Sequence, residues 1–425
     1  MRLLILLATV GLVDPSLNAQ TTTNPRTNLA SDTQNNTSAS DEFRGMPNGI
    51  PAAGNASKVP ISTLLYKGPS TRIYAHWMGW FGAHDHANVG YRSDDREQVH
   101  RQVEDMISRG FSGVIASWDD HPTVMKSVPM LLREVEQHAG FEFAFELEDQ
   151  FLKHYAQAHG NDVTQGVLDA LAYGYENFER SPAYMRINGR PAVFFFGGRD
   201  YSIDWQRVRR EAAGSPLLVF RNATAFDKSY AEGAFAWTAQ RDPSDEMVSY
   251  LEDFYKKATR SNSIVFGSAW AGFDDRVAAW GKNRITPRNC GRTWLDTFAA
   301  TNRSYSANHQ LWGLRVVTWN DYEEGTAIEP GIDNCLSVTA KMEGNDLRWS
   351  VHGGSEDTIS FFKVFVSSDG KTLSELGSVP VKTHSIDLSK TTLPPGSYTL
   401  FVKAIGKPSI LNHTSNGVSY AVRAR

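Results

Sequence analysis

Cysteine is nearly missing from this sequence. Two residues, Cys290 and Cys335, are all that 425 positions contain. With no CxxC pair and no HExxH run, the ligand spacing of a structural zinc site is missing too. A basic excess is also lacking: 43 Lys and Arg stand against 47 Asp and Glu, a net charge of −4. That balance argues against a nucleic-acid surface. No stretch reaches ~20 uninterrupted apolar residues, so no membrane span is expected. No GxGxxG follows the first apolar strand, as an open dinucleotide-binding sheet would require. No DxDxDG loop is present to hold calcium.

What remains is apolar enough to fold, with 41% hydrophobic and 21% charged residues. Eleven Trp and fifteen Tyr are plentiful for the length, and aromatic faces serve both cores and sugar rings. The N-terminus, "MRLLILLATVGLVDPSLNAQTTT", has Arg2, an apolar run from Leu3 to Val13, then small residues. This is the layout of a secretory signal over 1–19, cleaved after Ala19, and it implies a secreted or periplasmic protein. Residues 20–69 are rich in Thr, Asn, Ser, Pro and Gly, with almost no apolar periodicity. Such a stretch is expected to be a disordered linker.

From residue 70 a rhythm begins. "TRIYAHWMGWFG" reads as a strand, followed by a helix with Val99, Val103, Met106 and Ile107 at helical spacing. Ser93 is placed to cap that helix and Gly110 to stop it. "FSGVIASWDD" is a second strand, and "SVPMLLREVEQHAG" a second helix ending at Gly140. The alternation continues through "FEFAFELEDQ", "PAVFFFGG", "SPLLVFRN", "GAFAWTA", "SIVFGSAW" and "LWGLRVVTWND". These strands lack polar alternation, as expected when protein covers both faces. Eight β/α units over residues 70–335 predict an α/β fold, a (β/α)8 TIM barrel. In that fold Cys290 and Cys335 lie in neighbouring loops at one face. They form either one bridge or two separate buried thiols.

After Pro330 the texture changes. Phe362, Val364 and Val366 alternate with polar neighbours, as do Tyr398, Leu400 and Val402. Asp369-Gly370 and Pro395-Gly396 mark turns. Residues 336–425 are therefore expected to form a small all-β sandwich, similar to a fibronectin type III module. Its aromatics alternate like core residues, so it reads as a spacer or stabilising partner.

In a TIM barrel the functional groups gather where strands end. The first strand ends in His76, Trp77 and Trp80, the second in Trp118, Asp119 and Asp120, and the third in Glu146, Glu148 and Asp149. Later ends supply Arg199, Asp200, Trp237, Trp270, Asp274 and Asp275. The last end is the densest: in "VVTWNDYEEGTAIEP", residues 316–330, Asp321, Glu323, Glu324 and Glu329 fall within nine positions, among Trp319 and Tyr322. Acid and tryptophan suit a neutral polyhydroxylated substrate, because rings stack on sugar faces and carboxylates accept from hydroxyls. Crowded, partly buried carboxyls also differ in pKa, so one can donate a proton while another stays ionised. Glu323 and Glu329 have the simpler alternative of capping a helix. His84 and His86 flank Asp85 like a metal pair, but no third ligand is evident, and neither metal nor cofactor is expected.

"TWNDYEEGTAIEP" resembles the eighth-strand motif of glycoside hydrolase families 71 and 99, related (β/α)8 enzymes. Trp-Asn-Asp-Tyr is closer to family 71 and Gly-Thr-Ala-Ile-Glu to family 99. "YAHWMGWFG", "GVIASWDD", "FAFELEDQ" and "SPAYMRINGRPAVFFFGG" are similar to the first four strand regions of bacterial members. The resemblance covers residues 70–335. Glu323 stands where family 71 has Gly, and Asp321 replaces the Glu of family 99. The resemblance implies a hydrolase of α-linked polysaccharide, endo-α-1,3-glucanase-like. The alternatives are a family 99-like endo-α-mannanase or mannosidase, a non-catalytic glycan-binding protein, and a calcium-dependent lyase or adhesin. It makes Glu324 the general acid and Asp321 the base, acting on water or on the substrate's own 2-hydroxyl. Trp118, Glu148, Asp149 and Trp319 would position the sugar, with Tyr322, His76, Trp77, Trp237, Trp270 and Asp274 as further contacts. A monomer acting on a polysaccharide or oligosaccharide, without nucleic acid or membrane span, is expected.

Overall fold

The computed structural model describes residues 55–68, 70–239, 249–370 and 372–423. The expected signal segment and residues 20–54 of the expected linker lie outside them. Eight parallel strands close into a barrel: β1 (Arg72–Trp77), β2 (Gly113–Trp118), β3 (Glu142–Leu147), β4 (Arg190–Phe195), β5 (Leu217–Arg221), β6 (Gly233–Phe235), β7 (Ile264–Ala269) and β8 (Gly313–Val316). Each pairs with its sequence neighbours, β3 meets β4 through Glu146 and Leu147, and β8 returns to β1 with Gly313 opposite Arg72. These are the eight apolar runs of the sequence. Nearly every strand residue is buried, because helices cover the outer face.

The helices are α1 (Arg96–Ser108), α2 (Val124–Val135), α3 (Asp149–His159), α4 (Thr164–Gly174), α5 (Trp205–Glu211), α6 (Ser249–Ala258) and α7 (Arg292–Ser304). α1 buries Val99, Val103 and Met106 on one face. Its cap is Asp95 rather than Ser93: the Asp95 carboxylate accepts from the amides of Glu97 and Gln98, at 2.8 and 3.3 Å. Ser93 is buried instead, its hydroxyl toward the Met78 carbonyl at 3.5 Å. No helix of the described residues is long and apolar enough to cross a membrane.

The linker expectation fails over residues 55–68. Ala56 and Ile61 are fully buried, Leu65 nearly so, and Ile61–Leu64 forms a 3-10 turn. The Ile61 amide donates to the Arg109 carbonyl at 2.9 Å, and the Ser57 amide to Ile410 at 2.8 Å. The apolar group of this stretch, Ile61, Leu64, Leu65 and Tyr66, spans only one turn, too short to read as an element, yet Ile61, Leu65 and Tyr66 are buried against the rest of the fold.

Downstream, two antiparallel sheets pack on each other. One holds β9 (Leu336–Glu343), β10 (Asp346–Gly353) and β13 (Ser385–Asp387). The other holds β11 (Ile359–Ser367), β12 (Ser374–Pro380), β14 (Gly396–Gly406), β15 (His413–Thr414) and β16 (Val418–Val422). Leu347 and Trp349 from one sheet share a core with Phe362, Val364 and Leu400 from the other. A disulfide joins Cys290, just before α7, to Cys335, just before β9. Trp294 on α7 donates its indole N–H to the Pro408 carbonyl at 3.0 Å, and Ile332 exchanges backbone bonds with Ser409 and Leu411.

One buried acid outside the barrel mouth makes stability depend on pH. Glu179, after α4, is 1% exposed with neither carboxyl oxygen hydrogen-bonded. Burial pushes its pKa from 4.5 to about 7. The folded state thus keeps this proton from pH 4.5 to about 7 while the unfolded chain loses it, so stability falls as pH rises through that window. Glu179→Gln is expected to gain about 1–3 kcal/mol at pH 7 and to flatten the dependence. Urea melts of both proteins at pH 5 and pH 7.5 check this; equal pH slopes would refute it.

Candidate active site

Alternation along the strands decides which side chains reach the barrel interior. Successive side chains point to opposite faces. On β1, Tyr74 and His76 point inward, whereas Trp77 faces α1 and donates its indole N–H to Gln102 Oε1 at 2.9 Å. On β2, Ser117 is inward and Trp118 outward. On β3 and just beyond it, Glu146 and Glu148 are inward.

Beyond β8 the chain turns tightly. The Trp319 amide donates to the His76 carbonyl at 2.7 Å, and Asn320 clamps Met78 through both its amide and its carbonyl, at 2.8 and 3.0 Å. The Asp321 carboxylate accepts from the backbone N–H groups of Glu323 and Glu324, at 3.0 and 2.9 Å. Gly325, at φ +62°, closes the turn where a Cβ would lie 3.1 Å from Asp274 Cβ. The four acids then divide. Glu323 binds His86 Nδ1 and the Ala87 amide, both at 2.9 Å, and so holds the loop after β1. Glu329 accepts from Tyr322, Tyr91 and Gln102 at 2.8, 2.9 and 2.7 Å. Both are framework.

Asp321 and Glu324 are left. Burial raises the pKa of Asp321 well above the usual range, and repulsion from Glu324 adds to it. Burial also raises Glu324, against a hydrogen bond from Trp280 Nε1 at 3.0 Å and the charges of Arg284 and Arg221. Burial thus holds both carboxyls above the usual range, so protons stay on them where free carboxyls have lost theirs.

Across the barrel lies a directional chain. Arg315, fully buried, donates to Glu146 Oε2 at 2.6 Å and to His76 Nδ1. Arg has only donors, so Nδ1 accepts and Nε2 carries the hydrogen. His76 Nε2 then donates to Ser117 Oγ at 2.8 Å, and Ser117 donates to Glu148 Oε1 at 2.6 Å. Burial and the Arg315 charge push the His76 pKa well down, keeping the ring neutral. Burial and the neighbouring Glu146 push Glu148 well up. His76, Glu146 and Glu148 are close enough to share an ion. A metal does not fit there, because the Arg315 guanidinium takes the one imidazole lone pair of His76, binds Glu146 Oε2 and repels a cation.

The expected sugar contacts separate accordingly. His76, Trp237 and Glu148 lie together: Trp237 stands edge-on to His76 at 4.8 Å. Trp77, Trp118 and Trp319 are instead buried in the packing around the barrel, away from any sugar. Trp118 stacks on Tyr173 at 5.1 Å among aromatic neighbours, and Trp319 is fully buried beneath Arg109 and beside Phe111. Trp270 is fully buried near Tyr250. Tyr322 spends its hydroxyl on Glu329. Asp149 accepts from the Gly198 amide at 2.8 Å, and Asp274 is paired with Arg276 at 2.6 Å. His84 is exposed, and His86, bound to Glu323, stacks on Trp80 at 5.1 Å.

Two residues of the mouth escaped the sequence. Trp280, 44% exposed, sits in a loop with no periodic pattern and donates to Glu324. Arg221, last residue of β5, lies over the Phe196 ring at 3.8 Å, and its guanidinium makes no hydrogen bond among the described residues. Its charge acts on Glu146, Glu148 and Glu324 together. The run "LLVFRN" held the signal, a cation at the end of an apolar strand. A recess of about 520 Å³ at the opposite end of the barrel, lined by Arg72, Glu142 and Arg186, is far from these groups.

Fold and side chains together define a (β/α)8 protein with buried carboxyls of raised pKa at the mouth of its barrel. The sequence matches no family model and no curated protein. Among solved structures the chain is similar to the family 99 endo-α-mannosidase of Bacteroides thetaiotaomicron, at 17% identity, 61% of this chain, 86% of that chain and TM-score 0.49. It is also similar to a glycoside hydrolase-like protein, at 13% identity, 64% and 92% coverage and TM-score 0.45. A third is a family 27 β-L-arabinopyranosidase of Geobacillus stearothermophilus, at 11% identity, 75% and 93% coverage and TM-score 0.34.

Proposed function

We propose that this chain is an exported glycoside hydrolase cleaving α-linked polysaccharide, with endo-α-1,3-glucanase-like action as the leading case. The observation that carries the proposal is the buried pair Asp321 and Glu324, both raised in pKa, with Glu324 bonded to the Trp280 indole. Glu324 protonates the glycosidic oxygen as the C1–O bond breaks. Asp321, whose ionised form the Glu323 and Glu324 amides stabilise against its burial, takes the proton from the attacking water, or from the substrate's 2-hydroxyl. Glu148, held by Ser117, faces the sugar opposite this pair, and Arg221 offers donors to its hydroxyls; His76 and Trp237 are buried and support Glu148 from behind. The β-sandwich, fibronectin type III-like in its sequence, serves as a stabilising partner.

Incubation with α-1,3-glucan, α-mannan and related polymers, with released oligosaccharides identified, tests the proposal. New reducing ends from one of them are expected, and the linkage cleaved separates a glucanase from a mannanase. Binding without release would instead make the chain a glycan-binding protein.

Trp280 offers a second check. Its N–H stabilises the Glu324 carboxylate, so Trp280→Phe removes a pKa-lowering contact and the Glu324 proton is held to higher pH. The alkaline limb of the kcat–pH profile is expected to move upward in the variant. An unmoved or downward-shifted limb would separate Trp280 from the proton donor.

A further inference from the structure

Away from the barrel mouth, side chains on α1 and α2 converge in a pattern that the chemistry above leaves unused. His100 and Glu104 lie four apart on α1. Glu134 on α2 and His138, in the turn that follows it, are also four apart. Residues at that spacing share a helix face. Glu134 Oε1 lies 2.8 Å from His100 Nδ1 and 3.1 Å from His138 Nε2. One ligand atom from each of the three sits within 4.8 Å of the others. The second nitrogen of His138, Nδ1, faces Glu104 Oε1 at 3.7 Å.

We infer that His100, Glu134 and His138 bind a divalent transition-metal ion of the zinc class, bridging α1 and α2, with Glu104 orienting the His138 ring. Two imidazoles and a carboxylate are a donor set for zinc, copper or nickel rather than for calcium or magnesium, which prefer oxygen alone. Bonds of about 2.0–2.1 Å put neighbouring ligand atoms ~3.3 Å apart around a tetrahedral ion, so the two contacts of Glu134, 2.8 and 3.1 Å, need only small adjustments, while the two imidazoles, within 4.8 Å of each other, close on the ion by rotation of the exposed His100. A carboxylate on the far nitrogen of a metal-bound histidine fixes its tautomer, and Glu104, 3.7 Å from His138 Nδ1, has only to close by about 1 Å to do so. His100 is 47% exposed while Glu134 is 11% exposed, so the cluster opens to solvent on one side. That opening gives an ion its entry and leaves a fourth position for water. The ion would tie the turn after α2 to α1.

The untagged full-length chain, stripped with a chelator, is titrated with zinc by calorimetry and with cobalt(II) by visible absorption. One ion per chain and a rise in melting temperature are expected. His100→Ala and His138→Ala should each weaken binding at least about tenfold, and Glu104→Gln about tenfold. His154→Ala, a surface histidine on α3, serves as the control and should bind like wild type. Absence of saturable zinc binding would overturn the inference. So would unchanged affinity and stoichiometry in the folded His100→Ala/His138→Ala double variant.

Discussion

Turnover of Glu324→Gln is expected to fall by about a hundred- to ten-thousand-fold, the usual worth of a positioned proton donor. The fold should be unaffected, because the Gln carbonyl oxygen can still accept from Trp280 Nε1, now 3.0 Å from Glu324 Oε1. Asp321→Asn is expected to lose activity on the same scale. The Asn oxygen can keep both bonds to the Glu323 and Glu324 amides, so the turn survives while the base is gone. Initial rates on the cleaved polymer and thermal melts of both variants check this. A variant with wild-type turnover would remove its residue from the mechanism, and a collapsed melting curve would make the loss structural.

The second large effect concerns stability. Arg315→Met leaves Glu146 buried at the centre of the barrel without its cation, and removes the donor that sets the His76 tautomer. Breaking a buried ion pair from one side typically costs about 3–5 kcal/mol. Arg315 also packs its guanidinium on Phe235 at 4.1 Å, so part of the loss is stacking. Arg315→Met/Glu146→Gln removes both charges and is expected to recover a good part of the deficit. Urea denaturation of the two variants measures the difference. A single variant as stable as wild type, or a double variant worse than the single, would contradict the compensated network.

The barrel strands were legible because burial on both faces writes them as apolar runs, and "GVIAS" and "VFFF" carry almost no polar residue. The strand ends were legible as a set, but not the direction of each side chain. Trp77 and His76 are adjacent, and a shift of one position separates a residue facing α1 from one inside the barrel. The same parity places Trp118 behind Ser117. Trp319 is lost differently: after β8 the chain leaves strand geometry, and its ring goes beneath Arg109. Trp280 and Arg221 could not be ranked from sequence, since one lies in an irregular loop and the other reads as a lone cation. Ile61, Leu64 and Leu65 stand at i, i+3 and i+4, but a single turn between Pro60 and Gly68 is too short to read as a helix. Glu323 and Glu329 did carry a structural alternative, and each holds a neighbouring segment in place.

Leaving-group dependence tests the proposed proton transfer most directly. Glu324→Gln and wild type are compared on two substrates with the same α-linked sugar, one with a sugar alcohol as leaving group and one with an acidic phenol. A phenolate departs without protonation, so the variant should lose about a hundred- to ten-thousand-fold on the first and much less on the second. Equal losses on both substrates, or no loss on the first, would contradict the role of Glu324 as proton donor.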